Sequence, residues 1–365
     1  MIISVSDKQL FQRCRQQWDL ISRNRQSWEK VGPPAAALHL GSAVHVGLEA
    51  NALKLNPIIA MQEYFEREER VYIDVYKAQV GTYPGAEEIA VFRAQENLAI
   101  DLLQHYMRRY GTDTPLGSDF EYVKAEMPFQ VPIPGTGGWL RGVIDGLAKH
   151  RHYGTHYLVE HKTYSYKPNK DNMDLDDQCL GYCWAAEQLF GVPISGMLWD
   201  GLNKKLPGRP RLLQSGALSK EFIDTTADVY LDTLQAYREA PGANLALLDP
   251  SNYDDIVRRL RERDALPQTP FFSRFELTYP QHAIKMWGDE LRSIYLEMTS
   301  NPRIYKTVPW TGCWDCPVQD LCKAITYDED VKFVLAASYR KSTYHSNFGR
   351  GKKIVVPKGT VKVPL

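Results

Sequence analysis

The chain has 365 residues, of which 44% are hydrophobic and 24% charged, and its 44 Lys+Arg balance its 44 Asp+Glu. That length and apolar content support a substantial core, as two or three domains or as one domain with large insertions. A balanced charge excludes a chain that binds polyanions through its overall field, so any nucleic-acid contact has to come from local basic patches. The opening MIISVSDKQL is neither a signal peptide nor a transit peptide, and no apolar run approaches the roughly 20 residues of a membrane helix. A cytoplasmic protein without a membrane partner is expected.

In chain order, Ser6 with Gln9 resembles a capping box, and a helix is expected to about Leu20 with Leu10, Phe11, Cys14 and Trp18 along one side. After Gly32-Pro33-Pro34 a second helix should run from about Gly41 past Glu49, followed by helices from about Ile58 to Lys77 and from Glu87 to Arg109. The pattern then turns strand-like over Tyr122–Val131, Trp139–Lys149, Tyr157–Thr163 and Ile194–Leu202, around one helix, Leu175–Phe190. Breaks fall at Pro132, Pro134, Gly135, Gly137, Gly138 and Gly154. Helices return from about Ser219 to Thr299, and a tail from Lys332 carries Lys and Arg but no acid. This predicts an α/β fold with a small mixed sheet inside a large helical shell. The divisions expected are a helical region at 1–119, a core at 120–205, a second helical region at 206–330 and a basic tail at 331–365.

The strand block carries the chemistry. Gly142-Val143-Ile144-Asp145 is followed by Glu160-His161-Lys162, and residues two apart on a strand share a face, so Glu160 and Lys162 point the same way. Carboxylates that end apolar strands are costly unless a cation ties them together, and Mg²⁺ or Mn²⁺ prefers such oxygens while keeping positions for water and a phosphate oxygen. Lys162 can then orient the attacking water and neutralise charge on phosphorus. Upstream, His45 follows small residues in Gly41-Ser42-Ala43-Val44-His45 and shares a helix face with Glu49; downstream, Gln178 and Tyr182 share another. Taken singly each has an ordinary reading: a structural salt bridge, a packing histidine, a helix surface pair. The ordered set G-x-x-x-H, G-x-I-D, E-x-K and Q-x-x-x-Y is what stands out.

In that set the sequence resembles the PD-(D/E)XK nuclease superfamily, in particular the RecB-type branch that includes the CRISPR-associated iron–sulfur exonucleases. The resemblance implies that His45, Asp145, Glu160 and the main-chain carbonyl of His161 bind Mg²⁺ or Mn²⁺. It implies that Lys162 serves the hydrolytic water and that Gln178 and Tyr182 help hold the DNA and the site. Many relatives have Asp where this chain has Glu160, and His161 is a less usual residue between the two motif positions, though only its backbone is needed. Glu126 sits where relatives often have an acid, but is given no role.

Of six cysteines, Cys313, Cys316 and Cys322 lie within ten residues of one another. In a reducing compartment such clustering points to metal rather than disulfides, and a tetrahedral or cubane site needs a fourth thiolate. The triplet alone fits zinc and iron–sulfur equally. Cys179 and Cys183 lie on the Gln178/Tyr182 helix and read as small buried apolar side chains. The resemblance implies that Cys14 is the fourth ligand of a [4Fe–4S] cluster that joins the N- and C-terminal segments. Basic stretches at Lys204, Lys205, Arg209 and Arg211, in the N-terminal region, and in the tail at Arg350, Lys352, Lys353, Lys358 and Lys362 are candidates for tracking phosphates, with Trp and Tyr available to stack bases. The function expected is a metal-dependent DNA exonuclease, 5′→3′ on single-stranded ends by resemblance, acting in end processing, recombination or repair. The alternatives are a nuclease subunit beside a helicase or recombination partner or in a spacer-acquisition complex, and a non-enzymatic zinc-containing DNA-binding protein. The chain lacks G-x-x-x-x-G-K-[ST], so any motor would be a partner.

Overall fold

A computed structural model describes residues 1–31, 36–111, 115–222, 224–310 and 312–342. The Gly32-Pro33-Pro34 break and the basic tail beyond residue 342, with Arg350, Lys352, Lys353, Lys358 and Lys362, lie outside the described residues. The elements run β1 (Ile2–Ile3), α1 (Val5–Arg13), α2 (Arg15–Ile21), β2 (Trp28–Lys30), α3 (Ala36–Ala52), α4 (Pro57–Val80), α5 (Ala86–Tyr110), β3 (Phe120–Ile133), β4 (Gly138–His150) and β5 (His156–Tyr164). Then follow α6 (Asp177–Phe190), β6 (Gly196–Asn203), α7 (Ala227–Glu239), α8 (Asp254–Asp264), β7 (Phe272–Thr278), α9 (Gln281–Thr299), α10 (Gln319–Tyr327), α11 (Val331–Ser338) and β8 (Tyr339–Lys341). This is the mixed α/β architecture expected, with two corrections.

The first concerns the N-terminus. The expected helix to Leu20 is two helices, and its capping box is Ser4 with Asp7 rather than Ser6 with Gln9. Cys14 is extended (φ −160°, ψ 108°), ending α1 and capping α2, where its Sγ accepts from Gln17 N–H at 3.5 Å. The second concerns the sheet. Four of its six strands come from 120–205, but β1 and β7 come from the flanking regions expected to be helical. Phe272–Thr278, a short run inside a stretch expected to be helical, pairs with β6 along its length, Gly196 opposite Thr278 through Leu202 opposite Phe272.

The strand order is β1-β4-β5-β6-β7, with β3 on the other edge of β4. Long β4 is shared. Parallel β1 pairs with Trp139 and Leu140, whereas antiparallel β5 pairs with Gly146–Lys149. Residues 141–145 of β4 therefore have no ladder partner on that edge, and Asp145 sits at the mouth of the gap. One apolar layer packs α1, α6 and α9 on the sheet through Phe11, Trp18, Cys183, Trp184, Trp287 and Leu291. A second gathers α3, α4 and α5 with Leu202, Phe271 and Phe272 of the β6–β7 region. There Gly47 allows α3 to close on its neighbours, since a Cβ would lie 2.5 Å from Leu103 and 2.6 Å from Met61. That close approach sets the depth at which His45, two residues earlier, enters the sheet. Buried side chains of this size each contribute about 1.5–3 kcal/mol. Among the described residues no helix is long and apolar enough to cross a membrane.

Candidate active site

Where β4 and β5 part, the polar side chains of four elements converge. His45 from α3 points Nδ1 at Asp145 Oδ1, 3.2 Å away. The other oxygen of Asp145 accepts from the backbone N–H of His161 at 2.8 Å, a donor the β4–β5 ladder no longer uses. Glu126 joins them. It lies on β3 between Ala125, opposite Gly146, and Met127, opposite Ile144, which sets it across from Asp145. The donor atoms of His45, Glu126 and Asp145 lie within 4.8 Å of one another, the one such group of three metal-ligand side chains among the described residues. Opposed carboxylates on neighbouring strands repel, and Glu126 holds a positive φ of 44° that non-glycine residues rarely adopt. Both costs are those of a site kept for a cation rather than for packing.

Glu160 is differently placed. It is 1% exposed; Oε1 makes an ion pair with Lys162 Nζ and accepts from Gln178 Nε2 at 3.0 Å, and Lys162 Nζ also donates to Gln178 Oε1 at 2.8 Å. Gln178, on the first turn of α6, is thus a clamp that fixes the carboxylate and the ammonium together. Glu160 Oε2 is buried without a hydrogen-bond partner. A desolvated carboxylate oxygen left open is costly. Tyr182, one turn further along α6, packs edge-on against Phe129 at 5.7 Å.

The charge states follow from this packing. Burial opposes ionisation of Asp145, but the adjacent His45 outweighs it and brings the carboxyl down to about 2. Burial lifts Glu160 to about 6 even though Lys162 pulls the other way. Lys162 sits above its ordinary range, because Glu160 more than offsets the desolvation of the ammonium. His45 is raised as well, Asp145 overcoming the effect of burial.

The structure thus brings together His45, Asp145, Glu160, Lys162, Gln178, Tyr182 and the His161 backbone, all named from the motifs. It adds Glu126, noted in the sequence only as an acid where relatives often have one and given no role; its place across from Asp145 depends on register, which is not readable from sequence. It adds the His161 side chain too. Of the basic loop residues, Lys205 is paired with Asp224 and Arg211 with Glu221 at 3.4 Å, while Lys204 is half-buried and Arg209 exposed. None of these four lines the crevice formed by His45, Glu49, Tyr122, Glu126, Asp145 and His161.

A second group of reactive side chains lies elsewhere. Cys14, Cys313, Cys316 and Cys322 all line one cavity of about 160 Å³ with Lys306, Thr307 and Tyr327. The Cys14 thiol also accepts from Thr307 N–H at 3.4 Å, and Gln16 N–H donates to Tyr305 O at 3.0 Å, so the segment before the triplet lies along the start of α2. Cys179 and Cys183 are 1% and 0% exposed within the α6 layer, where burial drives both thiols far up.

The family model described as the PD-(D/E)XK nuclease superfamily matches residues 2–323 of this chain. No curated protein matches it. The match covers most of the chain, and the protein belongs to the PD-(D/E)XK nuclease superfamily, whose members suggest a metal-dependent nuclease.

Proposed function

We propose that this member of the superfamily is a Mg²⁺- or Mn²⁺-dependent deoxyribonuclease that hydrolyses phosphodiesters at DNA ends, single-stranded ends above all and in the 5′→3′ direction, in end processing, recombination or repair. The observation that carries it is the His45–Glu126–Asp145 group, whose donor atoms lie within 4.8 Å of one another, with the buried, unpartnered Glu160 Oε2 on the adjacent strand. That donor set, three carboxylates, one imidazole and the carbonyl of His161, suits a hard or borderline divalent cation, and the imidazole favours Mn²⁺ over Mg²⁺. When bound, the metal supplies Lewis-acid polarisation of the scissile phosphate. The protein's own part is separate. Lys162, locked by Glu160 and Gln178, holds its ammonium where it can donate to a water or to a phosphate oxygen. Water adds to phosphorus and releases a proton to solvent, the P–O bond to the sugar breaks with the leaving oxygen taking up a proton from solvent, and Lys162, remaining an ammonium, steadies the developing negative charge. Asp145, held ionised by His45, and Glu126 across from it orient the donor set.

We likewise propose a [4Fe–4S] cluster on Cys14, Cys313, Cys316 and Cys322. What supports it is that all four thiols line one cavity of about 160 Å³, which supplies the four thiolates a cubane needs.

The test is digestion of end-labelled single- and double-stranded DNA with Mg²⁺, Mn²⁺ or chelator. Stepwise shortening from one end, needing metal and at least as fast in Mn²⁺, is expected; no cleavage in either metal by protein shown to be folded overturns the reading. Iron and sulfide analysis of anaerobically purified protein should find about four irons per chain, and stoichiometric zinc would remove the cluster alone.

A further inference from the structure

His161 stands between the two motif residues of β5, and strand alternation turns its side chain to the face opposite Glu160 and Lys162. On that face it meets an ordered row. β5 and β6 are parallel with His161 beside Asp200, and β6 and β7 are antiparallel with Asp200 beside Arg274. His161 Nδ1 lies 3.1 Å from Asp200 Oδ2, and Arg274 Nε donates to Asp200 Oδ1 at 2.8 Å. Tyr106 of α5 closes the row from above, its hydroxyl donating to Asp200 Oδ2 at 2.6 Å and accepting from Arg274 at 3.0 Å. The far nitrogen of His161, Nε2, is 3.0 Å from the hydroxyl of Tyr122, beside the register shift of β3. Asp200 is fully buried. A charge so desolvated is kept only when its partners are fixed, so this row is rigid by construction.

We infer that the His161–Asp200–Arg274 row is the positioning device of the active site, acting through the His161 peptide. Both ring nitrogens are held, so the His161 peptide, whose N–H grips Asp145 Oδ2, cannot rotate. With Oδ2 occupied, Asp145 must present Oδ1 toward His45. On the function proposed above, the carbonyl next along the same residue joins the donor set, so one anchored side chain fixes two donors. An apolar residue at 161 would leave that stretch, beyond the end of the β4–β5 ladder, held on one side only. Partners of this kind behind metal ligands are worth about 10–100-fold in affinity or activity.

The test compares His161→Leu, His161→Asn and Tyr122→Phe in the full-length protein. Three readouts serve: Mn²⁺ affinity by calorimetry, kcat and KM on end-labelled DNA, and hydrogen exchange of the 157–163 segment without metal. His161→Leu should weaken Mn²⁺ binding by about 10–100-fold, lower kcat with little change in KM, and speed exchange of that segment. His161→Asn, whose amide can still donate to Asp200, should recover most of both losses, which a packing role for the ring would not allow. Tyr122→Phe removes one hydrogen bond, keeps the ring, and should move each readout the same way by a few-fold; it decides the matter if His161→Leu does not fold. Wild-type exchange and Mn²⁺ affinity in His161→Leu, or equal damage in His161→Asn, would overturn the inference. Failure of the wild-type protein to bind Mn²⁺ or cut DNA would instead defeat the proposed function, and the exchange comparison would still decide whether His161 anchors the strand.

Discussion

The gap between β4 and β5 and the cysteine cavity at the chain ends both gather ligand-type side chains, but they are built on opposite principles. At the gap, each donor projects from a long element whose place is set by the sheet and its two apolar layers. His45, Asp145, Glu160, Lys162 and Gln178 already hold one another. At the cavity, one thiol comes from a break between short helices and three from a loop and the start of α10. The apolar support there is a small cluster, Leu20, Val318, Leu321 and Tyr339, helped by the two-stranded β2–β8 pair. A site of the first kind is preorganised and its side chains can change without unfolding anything. A site of the second kind depends on what binds it, because its ligands are also its scaffold.

The largest effect should therefore come from a change that leaves the fold alone. Asp145→Asn keeps the size of the side chain and an oxygen for the His161 N–H, but removes one charge from the donor set. Cleavage should fall by about a thousandfold, equivalent to several kcal/mol of lost transition-state stabilisation, while the metal-free protein stays folded with a melting temperature lowered only by the loss of the His45–Asp145 ion pair. Single-turnover rates beside thermal melts check this; residual cleavage within tenfold of wild type would remove Asp145 from the chemistry.

A smaller and graded effect should come from pH. Glu160 is lifted to about 6 in the metal-free protein and His45 is raised above its ordinary 6.5, whereas Asp145 stays ionised down to about 2. Binding a cation needs Glu160 without its proton and His45 neutral, so protons leave as metal enters. Mn²⁺ affinity should thus fall as pH drops through about 7 to 5, by about tenfold per unit for each proton released. Glu160 has a further consequence for the metal-free fold. Because its folded pKa lies above the unfolded value of 4.5, the folded state holds the proton more tightly, and this group favours the fold below pH 4.5 and loses that contribution as pH rises through about 6. Calorimetry at several pH values in two buffers of different ionisation enthalpy counts the protons; a pH-independent affinity would place the metal away from Glu160 and His45.

The same contrast explains what could be seen in the sequence. The motif residues at the gap are close in sequence within each element, Asp145 in G-x-I-D and Glu160 with Lys162 in E-x-K, so strand and helix periodicity exposes them. Glu126 and the row behind His161 were not legible, because each depends on cross-strand register: Glu126 on the β3–β4 pairing, Asp200 and Arg274 on β6 and β7. Strand β7 itself went unread because it is a short run, Phe272–Thr278, set between helices α8 and α9, although Arg274-Phe275-Glu276-Leu277 alternates as a strand does. At the other region the C-x₂-C-x₅-C spacing was visible, but a single helix through Cys14 would have carried the thiol along a helix face. The extended residue between α1 and α2 is what turns it toward Thr307.

The smallest expected effect on catalysis, and the largest on stability, belongs to the cysteine region. Cys14→Ser keeps a cap for α2, since a serine oxygen at that position can accept from Gln17 N–H as the thiol does. On the cluster proposed above it removes one ligand, and a serine oxygen can still accept from Thr307 N–H, so a large loss would measure what the bound group contributes. The segment that Cys14 meets is also held by the backbone hydrogen bond from Gln16 to Tyr305, by Arg15 stacked over the Tyr305 ring at 5.0 Å, and by Lys306 with Thr326 at 3.3 Å. Without a bound group the 305–310 stretch should loosen against α2 while the Leu20–Val318–Leu321–Tyr339 cluster holds, and the melting temperature should fall by several degrees, about 2–4 °C for each kcal/mol lost. The gap between β4 and β5 lies in a different layer, so cleavage per folded molecule should remain within a few-fold of wild type. Cys179→Ser is the control, since that thiol is buried in the α6 layer away from the cavity. Melting curves with iron and zinc analysis of both variants decide it: full metal content and an unchanged melting temperature in Cys14→Ser would mean that the cavity is lined by cysteines that bind nothing together.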